Sequence, residues 1–269
     1  MQQPSASHRD HNNREMKIRK NGVKGYEFRF GKNVVLIGAQ RLSDQKPQFI
    51  WVTLVLALVY VISGKLSLML ALPPGFATPV FPAAGLAVAA AVVFRKPGLP
   101  GLAIGAFALN LLVASEAGKG LWSSILLSLL ISFASVMQAW LGSWLVVAQV
   151  KPGIDSGQDA IRFLLLVPLF CLVGASIAVF GLFALGDMRL NDLQVNWVAW
   201  WIGDTIGVLI GAPLTWIFIG RPRLLWRRRR WTLGLPLVLA STVLIGSYFK
   251  TSEWEQERQT ERFRFKAQQ

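Results

Sequence analysis

The stretch WVAWWIGDTIGVLIGAPLTW, residues 197–216, is apolar apart from a single ionisable side chain, Asp204. Wound as a helix, such a run reaches about 30 Å, the thickness of the hydrocarbon core of a bilayer. Working outward, similar runs recur along the chain. They predict spans at about 49–72, 80–94, 99–114, 121–148, 161–185, 197–219 and 232–249. The composition agrees: 53% hydrophobic, 16% charged, mean hydropathy +0.45. The fold class expected is an all-α polytopic membrane protein with about seven transmembrane helices. A soluble helical protein with a large core is the bland alternative, and runs of this length argue against it.

Between the first two spans lies PPGFATPVFPAAG, residues 73–85, with four prolines, two glycines and no charge. Proline removes a helical hydrogen bond and clashes with the preceding turn, so this stretch interrupts a helix. It is expected to form a re-entrant or broken segment whose backbone is satisfied by protein or water.

The net charge of +14 is informative through its placement. Residues 1–46 carry ten Lys or Arg and read as a basic cytoplasmic tail, largely disordered, with weak alternation at 25–38 suggesting a short hairpin. With that tail inside, the inner loops hold Arg95, Lys96, Lys151, Arg162, Arg221, Arg223 and Arg227 to Arg230. The outer loops hold only Lys119 and Arg189. This asymmetry predicts a cytoplasmic N-terminus and, with seven spans, a periplasmic C-terminus. The arginine run fits topology and anionic headgroups, and no nucleic-acid partner is expected. The remaining divisions are a membrane domain over 47–249 and an extracytoplasmic helix starting in 250–269, where Ser252 and Glu255 fit a capping box.

Asp204 and Lys65 each lie about seven residues below the outer end of their spans, roughly 10 Å deep, and Asn110 is also in the outer half. Ionisable groups at such depth face the bundle interior or a water-filled cavity. Two readings stand for Lys65: an ion pair with Asp204, or a stem that snorkels outward. Trp200 and Trp201 complete the candidate polar core with Asp204, Lys65 and Asn110, while Trp197 reads as an interfacial anchor. Gly203, Gly207 and Gly211 recur every four residues, a spacing that allows close helix approach. Pro213 is expected to bend the inner half of the span.

These residues resemble a bacterial membrane-associated sensor family, the first MASE type. FPAAGLAVAAAVVFRKPGLPGLAIGAFALNLL at 81–112 and the block at 197–216 carry the resemblance. Pro82 and Gly85 match the helix entry, and Asn110 the downstream asparagine. Trp201, Asp204, Gly207 and Pro213 match the last block, with Trp200 an alternative for its tryptophan. Phe81 and Ala83 stand where the family often has tryptophan and a second proline. The resemblance implies a sensory input module of the bacterial inner membrane, upstream of histidine kinase or cyclic-di-GMP output domains. The segment WEQERQTERFRFKAQQ resembles the opening helix of a CHASE-type domain.

No catalytic set is legible: the two histidines, His8 and His11, lie in the tail, and Cys171 stands alone. No cofactor and no metal site are expected. The expected partners are membrane lipids, an unidentified small-molecule or membrane signal, output domains or signalling proteins, and a second copy of the chain. A small transporter or channel is the rival reading, since broken helices and intramembrane polar groups serve transport too.

Overall fold

The computed structural model describes residues 23–30, 33–41, 45–69, 78–95, 98–151, 153–154, 156–221, 223–243, 246–247 and 250. The chain forms two units, Met1–Trp51 and Val52–Gln269. The first contains an antiparallel hairpin of β1 (Val23–Phe30) and β2 (Asn33–Arg41), in which Phe28 is opposite Val35 and Tyr26 opposite Ile37. This hairpin brackets the alternation at 25–38. The disorder expected for the rest of the tail falls on residues outside the described set.

The helices are α1 (Gln45–Leu68), α2 (Pro82–Phe94), α3 (Gly98–Glu116), α4 (Leu121–Gln149), α5 (Gly157–Ala184), α6 (Leu190–Ile219) and α7 (Arg223–Arg229). A π-helical turn, Arg230–Gly234, follows α7 and leads into helix over 235–243. Among the described residues, five helices are long and apolar enough to cross a bilayer: α1, α3, α4, α5 and α6. The expected second span is shorter. At 13 residues, α2 extends only about 20 Å. The expected seventh span runs partly outside the described residues, as does the CHASE-like tail.

The membrane unit is patterned inside out relative to a water-soluble protein. Large apolar side chains such as Leu126, Phe133 and Trp144 of α4 are exposed, whereas Ser124, Ser128, Ser132 and Gln138 of the same helix are buried. Lipid removes the penalty for exposing the first group. The second group must find partners inside. Ser128 Oγ donates to the Ser124 carbonyl (2.6 Å), and Ser132 Oγ crosses to the Ala103 carbonyl of α3 (2.9 Å).

The centre of the unit is α2, packed against α3, α4 and α6. Its sequence, PAAGLAVAAAVVF, is rich in small residues, and most of it is buried. Pro82 opens the helix, where a missing N–H costs nothing. The four residues before it, 78–81, are non-helical. Their polar groups are satisfied by protein: the Phe81 N–H donates to the Gly203 carbonyl (3.0 Å), and Thr78 Oγ1 donates to the Val80 carbonyl (3.1 Å). The companion prolines at 73 and 74 are outside the described residues.

The glycine stripe explains how α2 comes so close to α6. An added Cβ at Gly203 would overlap the Thr78 carbonyl. One at Gly207 would overlap the Phe81 carbonyl, and one at Gly211 would press on that of Pro82. From the other side, a Cβ at Gly85 would meet the backbone of Gly207, Gly211 and Ala212. Contact here is backbone on backbone, and the order of partners makes the two helices parallel. Helix α6 runs unbroken through Pro213, which is buried.

Candidate functional site

A cavity of about 90 Å³ lies between α1, α3, α4, α6 and the entry to α2. That is room for several waters or one small molecule, since a single water needs roughly 10–15 Å³ by the same measure. Each wall contributes a polar group. Tyr60 comes from α1, Thr78 from the α2 entry and Asn110 from α3. Ser135 and Gln138 come from α4, and Trp200 and Asp204 from α6. Lys119 and Asp187 stand at the end where the α3–α4 and α5–α6 connections meet, joined to each other as an ion pair.

Asp204 is the most demanding of these groups. Only 6% exposed, it is a carboxylate within an apolar helix. Gln138 and Ser135 of α4 and Tyr60 of α1 line the same space. The Gln138 amide is wedged: its Oε1 has no partner and sits where a Cβ on Gly174 of α5 would be. Gly174→Ala is therefore expected to push the Gln138 amide aside and change the surroundings of Asp204, at a cost of about 1–3 kcal/mol through overpacking. The check is a shift of the carboxyl infrared band assigned by difference against Asp204→Asn.

Asp204, Asn110 and Trp200 line one cavity. Two candidates lie elsewhere. Trp201 lies against the α5 side of α6, where its Nε1 donates to the Pro168 carbonyl (2.9 Å) and its ring stacks on Trp197. The Lys65–Asp204 ion pair is not formed. Lys65 is 42% exposed at the end of α1, and its ammonium is on Glu116 at the end of α3. The expected span ran to 72, whereas α1 ends at Leu68, so Lys65 lies in its last turn and not at the expected depth. Lys65→Met and Asp204→Asn are accordingly expected to act independently on thermal unfolding, with a coupling below about 0.5 kcal/mol in a double-mutant cycle.

Pro82, Gly85, Gly203, Gly207, Gly211 and Pro213 form the packing seam beside the cavity rather than its lining. Gln138, Tyr60, Ser135 and Glu116 were not singled out from the sequence. Gln138 had a legible signal: it is an amide within the long apolar run of α4, a position that demands a partner. No group of three or more His, Cys, Asp or Glu that could hold a metal ion occurs among the described residues.

Comparison with known families decides the broader assignment. The model of the MASE1 family matches residues 51–249, most of the chain. The chain belongs to the MASE1 family. MASE1 is a membrane-associated sensory domain of signalling proteins, not a catalytic one. The match begins within α1 and extends past α7, so the whole cavity and the α2–α6 seam fall inside the MASE1 domain. Comparisons with curated proteins and with solved structures returned no match.

Proposed function

We propose that this MASE1 domain is the input module of a bacterial signal-transduction protein and that the cavity beside Asp204 receives its signal. The observation that carries the reading is the position of Asp204. It sits one residue after Gly203, whose carbonyl accepts the Phe81 N–H, so the sensing acid and the α2–α6 seam are physically continuous. A ligand that pulls on Asp204 pulls on the backbone contact that sets α2 against α6. Close-packed helices respond to such a load by shifting together.

Seven spans, with the segment before α2 completing a short crossing, place the N-terminus in the cytoplasm and the C-terminus in the periplasm. The gathering of Arg95, Lys151 and Arg221 at one end of the unit supports that orientation. In this scheme the protein resides in the inner membrane, acts as a homodimer, and passes its state through a CHASE-type segment to kinase or cyclic-di-GMP output domains.

The test uses the full chain in proteoliposomes. Trp200 lines the cavity, so the part of the fluorescence lost in Trp200→Phe reports occupancy. A panel of small amines, amino acids and sugars is titrated while uptake of each is measured. Saturable change in the Trp200 signal without uptake supports a sensor. Uptake of the solute that gives the signal makes the protein a transporter.

A further inference from the structure

The cavity is lopsided in its charge: Lys119 and Asp187 pair with each other, and Asp204 has no ion-pair partner among the described residues. Several of its side-chain donors are used within the protein. Asn110 Nδ2 donates to the Ala106 carbonyl (2.8 Å), Ser135 Oγ to the Ile131 carbonyl (3.0 Å) and Thr78 Oγ1 to the Val80 carbonyl (3.1 Å). The Lys119 ammonium is held by Asp187. Asp204 and Asn110 both line the space and carry acceptor oxygens, beside the Tyr60 hydroxyl and the Trp200 indole.

An ionised carboxylate offers about four acceptor positions. Among the described residues no Lys or Arg forms an ion pair with Asp204, and Lys65 is engaged by Glu116. A buried carboxylate is ordinarily paired with a cation. The rest of the wall is aromatic and aliphatic: Tyr60, Phe81 and Trp200 with Leu109 and Ala139. Aromatic rings beside a buried acid suit a cation that carries a short alkyl group.

We infer that the cavity binds a small organic ammonium ion. Its N–H groups donate to Asp204 and Asn110, and its alkyl part packs on Phe81 and Leu109. A buried carboxylate without a cation partner repels an anion, and a neutral polyol would leave its charge uncompensated. The volume limits the ligand to a few heavy atoms. This assignment rests on the sensory reading given above and names the chemistry of that site.

Methylammonium is the probe, with methanol as its neutral isostere and acetate as an anion of similar size, all at one ionic strength. The full chain in lipid nanodiscs is titrated through the Trp200-dependent fluorescence. Saturable binding of methylammonium alone is expected. Asp204→Asn should weaken it at least about 10-fold, the loss of one charged hydrogen bond. A thermal melt shows that this variant is folded, and Asn110→Leu, with the acid intact, should weaken binding by a smaller factor.

Equal responses to methylammonium and acetate, or binding unchanged in folded Asp204→Asn, overturn the assignment. So does the absence of a methylammonium response. If another solute class from the panel gives the saturable signal, the ammonium assignment fails and the sensor stands. If methylammonium binds through Asp204 and is also taken up by proteoliposomes, the assignment stands and the sensory reading fails.

Discussion

Gly207→Leu is expected to leave no folded protein in the membrane. The Gly207 Cα faces the Phe81 carbonyl so closely that even one added carbon overlaps it. The obstacle is backbone at the entry of α2, where Pro82 and the Phe81–Gly203 hydrogen bond hold the chain. It cannot swing aside as a flexible side chain would. Gly207→Ala should already cost ~1–3 kcal/mol through overpacking. A leucine demands several times that volume, against a total stability of about 5–15 kcal/mol for an ordinary domain. It would also displace α2 from its berth beside α6. Monodisperse yield in detergent and resistance to limited proteolysis measure the outcome. Gly157→Leu is the matched control, because an added Cβ there meets nothing within 4 Å. Wild-type yield for Gly207→Leu would show that the α2–α6 seam does not hold the unit together.

Asp204→Asn is expected to do the opposite to stability while abolishing response. A carboxylate in this environment carries a large desolvation cost. Asparagine has nearly the same shape and removes the charge. The substitution should stabilise the fold by about 1 kcal/mol or more, a rise in Tm of roughly 2–4 °C for a chain of this size. Gain of stability with loss of function marks a residue retained for what it does. Were Asp204→Asn instead to melt many degrees below the parent, the acid would be holding the bundle together, and the cavity would lose its claim as a signal site.

Much of the fold was legible because a bilayer imposes length and apolarity on each helix, and those are one-dimensional properties. The hairpin was legible from alternation alone. Depth alone does not explain the shared chamber of Asp204, Asn110 and Trp200: Asn110 lies six residues from the end of α3, while Asp204 lies near the middle of α6. Direction around the helix axis was harder. Trp200 and Trp201 are neighbours in sequence, yet a turn of about 100° sends one to the cavity and the other to Pro168 of α5. The expected Lys65–Asp204 pair failed on height: Lys65 lies in the last turn of α1 beside Glu116 at the end of α3, and Asp204 lies near the middle of α6. The glycine repeat announced close packing, but nothing in its spacing named the entry of α2 as the surface it receives. Gln138 belongs to a different class, because a lone amide in an apolar helix reveals a need and not the cavity that it lines.

The shortness and enclosure of α2 bear on how the chain is made. Residues 82–94 leave the ribosome well before 203–211, the backbone surface that will cover them. In that interval a helix too short to cross, entered by a kinked segment, has no permanent cover for the Phe81 amide or the flank at Gly85. Insertion and assembly are thus separate events for this protein, and α2 completes its docking only when α6 arrives. A nascent chain stalled after α5 should be the species that the membrane's quality-control proteases find first.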